Sequence, residues 1–182
     1  MQYSDQDIDE LRTRNLFVIA FYFFAMVMLS ICSYALYIST EEYLKTHRVV
    51  IGEVLASTEF PFHGAPKLVT YVMIASILSW FCITTLGRDK LRNIAKPVKS
   101  ILQLVILAIV VIALYEFIYN FSIWNSFITH NMIKGKYNLD SISVPYPNPN
   151  TPWNIIFATK MTFAAFLIAS LGFYIISKAN KG

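Results

Sequence analysis

Charge is scarce in this sequence. Asp, Glu, Lys and Arg make up 14% of its 182 residues, against roughly a quarter in a typical soluble protein. Hydrophobic residues reach 56% and gather into long uncharged runs, which a small soluble core has no means of burying. A water-soluble globular domain is therefore excluded. The runs predict an all-α polytopic membrane protein with four transmembrane helices in one domain, a helix of about 20 residues being what a bilayer requires. The spans are expected at Leu16–Ile38, Leu68–Leu86, Ile101–Trp124 and Trp153–Ile176.

Cysteine is nearly absent. Cys32 and Cys82 fall inside the first and second spans, at expected depths of roughly 9 and 21 Å from the outer ends. That separation rules out a bridge and leaves them as small apolar residues. Loops free of cysteine also exclude the disulfide-stapled ectodomains of tetraspanin-like and claudin-like proteins. Glycine enters the spans only at Gly172, with no GxxxG, so close glycine-mediated helix packing is not the main association device. No histidine lies within a span, which removes the usual axial ligands of haem b. Nor is there a phosphate-binding glycine loop, a G-x-S-x-G, an HExxH, a CxxC or a CxxCH. Catalysis by this chain alone is not expected, and no cofactor or metal is assigned to it.

The lead-in to the first run is acidic (Asp5, Asp7, Asp9, Glu10) and the run is 23 residues long. A cleaved signal peptide has a basic start and a shorter apolar core, so the first span is expected to remain. With four spans, both termini and the Gly87–Ser100 loop share one side. That side holds Arg12, Arg14, Arg88, Lys90, Arg92, Lys96, Lys99, Lys178 and Lys181, while Lys45, Arg48, Lys67, Lys134 and Lys136 lie opposite. The bias places both termini in the cytoplasm of a cell-membrane protein. The net charge of +4 arises largely from this juxtamembrane pattern. It points to anionic lipid at the Gly87–Ser100 loop rather than to nucleic acid.

Boundary signals accompany the spans. Ser4-Asp5-Gln6-Asp7 resembles a capping box, Gly87 stands where a helix-ending glycine is wanted, and Pro97 suits a first turn. Thr151-Pro152 reads as the cap and first-turn proline of the fourth span. Two outer loops carry the remaining mass, Ser39–Lys67 and Asn125–Pro152. The first opens on Ser39-Thr40-Glu41-Glu42, and its apolar residues Tyr43, Leu44, Val50, Ile51, Val54 and Leu55 predict a short amphipathic helix on the outer surface. The second ends in a proline-rich stretch from Pro145 to Pro152, which favours an extended strand.

Two ionisable residues interrupt the spans, and such residues are costly enough in a membrane to be functional candidates. Glu116 is expected roughly 12 Å inside the outer end of the third span, and Lys160 roughly 10 Å inside the fourth. Similar depth would let them pair and offset the cost of burial. Tyr119 and Asn120 share the Glu116 face, which continues less regularly to Ser122, Asn125 and Thr129. The competing uses of this constellation are an ion pair setting helix register, a docking surface for another subunit, and a transport, proton-relay or quinone site. Lys160 is also long enough to snorkel toward the interface. His47, His63 and His130 all fall on the outer side, where they are candidate ligands only if a partner completes the set.

The reading these features favour is a small accessory or structural subunit. It would pack around the catalytic core of a membrane complex of respiratory, oxidase or monooxygenase type, with other membrane subunits as partners. The alternatives are a small proton- or ion-coupled carrier or channel component using Glu116 and Lys160, and a subunit contributing to a quinone or metal site at the outer face.

Overall fold

The computed structural model describes residues 5–88, 90, 93–135 and 154–180. Among these it forms five helices: α1 (Asp5–Thr46), α2 (Ile51–Ser57), α3 (Leu68–Leu86), α4 (Lys96–Ile133) and α5 (Ile155–Asn180). Four of them, α1, α3, α4 and α5, are long and apolar enough to cross a membrane. The proline-rich stretch, Thr151-Pro152 and Ser4 lie outside the described residues.

Two helices overrun their expected ends. Ser39-Thr40-Glu41-Glu42 does not start a new helix, because α1 passes through it without a break. No glycine or proline interrupts this stretch, and the hydroxyls that would have capped turn back instead. Thr40 Oγ1 donates to the carbonyl of Leu36 at 2.8 Å, and Thr46 Oγ1 to that of Glu42 at 3.0 Å. Glu41 and Lys45, one turn apart, pair at 2.8 Å. The helix stops only at His47, whose φ of 57° is left-handed. Buried Ser39 then acts as an elbow: its Oγ accepts the Val50 N–H at 3.1 Å, bringing α2 back alongside. The segment expected to be helical from Tyr43 onward is thus divided between the end of α1 and the seven residues of α2.

In α4 the same device operates. Asn125, Ser126 and Thr129, expected to open a loop, donate to the carbonyls of Phe121, Ser122 and Asn125 at 2.9 Å each. The helix continues to Gly135, whose φ of 74° supplies the left-handed turn that ends it. At its start Pro97 occupies the first turn, as its spacing suggested. Gly87 does follow α3 directly, with its N–H on the Ile83 carbonyl, but at φ −87° rather than left-handed. Asn154 caps α5, its Oδ1 accepting the Ile156 N–H at 2.9 Å.

The helices pack in the order α1–α3–α5–α4, with no extensive contact joining α1 to α4 among the described residues. In the α1–α3 pair, fully buried Ala35 meets Leu68, Val69 and Val72 at one end, and Phe17 meets Phe81 at the other. The antiparallel α4–α5 pair is joined by Gln103 Nε2 donating to Ser177 Oγ at 2.8 Å and by Phe117 on Phe163. Buried or half-buried positions on α4 recur at Gln103, Ile106, Val110, Ala113, Phe117, Asn120 and Trp124. Steps of three and four of this kind are the seam of a helix with one neighbour. Between the pairs, α3 and α5 run parallel. The short α2 closes one end, burying Gly52, Leu55 and Ala56 where α1, α3 and α5 converge.

Candidate functional site

Depth can be read from α3. Its 19 residues rise about 28 Å, close to the roughly 30 Å of a hydrocarbon core. In a bilayer crossed by α3, its ends would mark the two boundaries of the apolar layer, Leu68 at the α2 end and Leu86 at the other. By comparison α1 and α4, with 42 and 38 residues, are about 63 and 57 Å long and stand well clear of it.

Lys160 reaches the boundary. Its Nζ donates to Thr70 Oγ1 of α3 at 2.6 Å, and Thr70 is the third residue of that helix. The ammonium therefore lies within about 4 Å of the boundary, shallower than the chain position alone implied. Glu116 lies deeper. The pairing of Phe117 with Phe163 sets Glu116 level with about residue 164 of α5, roughly 6 Å farther in than Lys160. The two do not form an ion pair. Lys160 turns toward α3, on the far side of α5 from α4.

What Glu116 does have is Asn120, one turn along α4. Asn120 Nδ2 donates to the Glu116 backbone carbonyl at 2.8 Å, while its Oδ1 has no partner although the residue is only 2% exposed. The half-exposed Glu116 carboxylate makes no hydrogen bond or ion pair among the described residues. Tyr119 is exposed and stacks on Tyr115, with ring centroids 6.4 Å apart. On the side of α4 away from the seam, Tyr115, Tyr119, Ser122, Ser126 and Thr129 form an exposed stripe at steps of four and three. Each hydroxyl of Ser122, Ser126 and Thr129 donates one turn back along its own helix, leaving its oxygen as an outward acceptor.

The histidines stay apart in the fold. His47 ends α1 against the Tyr43 ring, and His130 is exposed in the last turn of α4. His63 sits in the 58–67 loop, its Nδ1 2.8 Å from Glu59 Oε2. No group of three His, Cys, Asp or Glu suited to a metal occurs among the described residues.

That loop is built around Glu59. Its Oε2 also accepts the Gly64 N–H at 2.7 Å, with Gly64 at φ 87°. Tyr71 Oη donates to the Phe60 carbonyl at 2.9 Å, and Leu68 N–H to the Thr58 carbonyl at 2.9 Å. The Gly64 amide, more than His63 or Lys67, holds the Glu59 carboxyl below its usual range. A depressed carboxyl pKa stabilises the loop above the unfolded value, and this contribution fades as pH falls through the folded value. Exchange of the Gly64 amide, corrected for intrinsic rate, is therefore expected to accelerate below about pH 4.5. Glu59→Gln should remove that dependence, and an unchanged profile would show that the carboxylate does not hold the loop.

The sequence offered little notice of Thr70, Ser39 or Asn154. Ser39 carried the signal of a cap rather than of an elbow, and Thr70 stood out only as a hydroxyl one turn inside an apolar run, three residues after Lys67. No family model, curated protein or solved structure matches the chain, so its function rests on the geometry of these residues.

Proposed function

We propose that this chain is a small accessory subunit of a multi-subunit membrane complex of respiratory, oxidase or monooxygenase type. It docks through the outward side of α4. The observation that carries this reading is the Glu116 carboxyl, which lies below the boundary on a helix at the end of the row and has no partner among the described residues. An ionisable group at such depth costs several kcal/mol unless a donor meets it, and a neighbouring subunit's polar or cationic side chain is the fitting donor. The stripe from Tyr115 to Thr129 supplies acceptors and flat aromatic area beside it. The catalytic work belongs to the larger partners. Arg12, Arg14, Lys90, Lys96 and Lys178, clustered near the terminal end, support an orientation with both termini cytoplasmic. The same basic residues around the Gly87–Ser100 loop suit anionic lipid.

Native electrophoresis of mildly solubilised membranes, with mass spectrometry of the band, tests the reading. The chain is expected to co-migrate with larger subunits. Glu116→Gln should lower its recovery in that band about tenfold, on the order of 1.4 kcal/mol. Migration alone, as a monomer or small homo-oligomer, would instead favour a carrier, with Glu116 as the group to titrate. Full assembly of Glu116→Gln with loss of the complex's activity would also count against an accessory role.

A further inference from the structure

At the α2 end, Lys160 meets a hydroxyl three residues beyond a second lysine, Lys67. Thr70 Oγ1 accepts from Lys160 Nζ at 2.6 Å, and Thr70 lies three residues after Lys67, the residue that immediately precedes α3. The backbone closes this turn, Thr70 N–H donating to the Lys67 carbonyl at 2.8 Å. Lys160 thus reaches the turn that Lys67 opens. All three residues are only partly exposed, so neither lysine is simply extended into solvent. Neither ammonium has a carboxylate within ion-pair distance among the described residues. Glu59 is near enough to feel Lys67, but its Oε2 is already engaged by Gly64 and His63.

Two ammonium groups repel, and the neutral hydroxyl that accepts from Lys160 supplies no counter-charge. An anion with several acceptor oxygens would relieve the repulsion. It would find three donors at this end: Lys67 Nζ, Lys160 Nζ and the hydroxyl hydrogen of Thr70. The ammonium of Lys160 lies at the boundary of the apolar layer, immediately below the depth of lipid phosphates. We propose that Lys67, Lys160 and Thr70 bind the phosphate of an anionic phospholipid in the leaflet at the α2 end. This site lies at the opposite end of the helices from the basic Gly87–Ser100 loop and does not depend on docking through α4.

The full chain, reconstituted in phosphatidylcholine bilayers with a minor fraction of phosphatidylglycerol and released for native mass spectrometry, reports the lipid it retains. The wild type is expected to retain phosphatidylglycerol preferentially. Lys160→Gln and Lys67→Gln should each reduce the preference about fivefold, the effect of one lysine at an anionic surface. Lys45→Gln removes a charge at the same end, from the exposed pair with Glu41, and should leave the preference unchanged. A Lys67→Gln/Lys160→Gln protein with intact helical circular dichroism and undiminished preference would overturn the proposal, leaving Lys160 as a snorkelling side chain. An equal loss in Lys45→Gln would overturn it too, by reducing the effect to general surface charge. Stabilisation of the detergent-solubilised wild type, but not the double variant, by inorganic phosphate alone would overturn the lipid assignment in favour of a free anion.

Discussion

Ile155→Ala is expected to cost about 2–5 kcal/mol, the range for removing a large aliphatic side chain from a site that cannot collapse. Ile155 has no exposed surface, and it stands where three helices meet. With Ile156 and Ala56 of α2 it forms a cluster against Ile123, Trp124 and Phe157, so one side chain joins α2, α4 and α5. Neighbours held by three different helices cannot all close on the vacated volume. The loss is also expected to be local at first, loosening α2 and the 58–67 loop before the α4–α5 pair separates. Denaturant titration in mild detergent gives the total, and amide exchange across α2 gives the order. A cost below about 1 kcal/mol would show that the cluster relaxes freely. Uniform exchange through the chain would show that α2 is not the weaker partner.

Asn120→Leu should move stability the other way, by about 1–2 kcal/mol in favour of the isolated chain. Asn120 lies in the α4–α5 seam with its Oδ1 buried and unmatched. Its amide donates only to a carbonyl of its own helix, so little is lost with the side chain. Leucine has the same branching, though it is bulkier, and brings no polar atom, which removes the desolvation penalty of the orphan oxygen. A higher melting temperature in detergent is the expected result, and a lower one would show that the amide has a partner in solution. The comparison gains force beside Glu116→Gln. If Asn120→Leu stabilises the chain yet weakens its recovery with larger subunits, the unmatched oxygen is kept for a contact between subunits. If recovery is unaffected, Asn120 serves only to set the register of α4 against α5.

Much of the helical content was legible from long, nearly uncharged runs with no proline and a single glycine, Gly172, inside them. The limits of α3 follow from the uncharged stretch between Lys67 and Arg88. The ends of α1 and α4 were not legible, because serine, threonine and asparagine have two uses. As caps they stop a helix, but Thr40, Asn125, Ser126 and Thr129 donate to carbonyls four residues back and let it continue. Which use prevails depends on where the backbone goes next. The stops came from left-handed residues, His47 and Gly135.

By itself, then, the sequence determined that four long apolar helices form, where their polar interruptions fall, and on which side most basic residues gather. Only the tertiary structure decided the neighbours. Membrane-type helices are apolar all round, so their sequence does not announce which side meets protein, and the order α1–α3–α5–α4 follows from the fit of side chains such as Ala35, Phe163 and Ile155. That order took Lys160 to Thr70 rather than to Glu116. It left the carboxyl on an end helix without a partner among the described residues, because a side chain bonds to what lies within its reach.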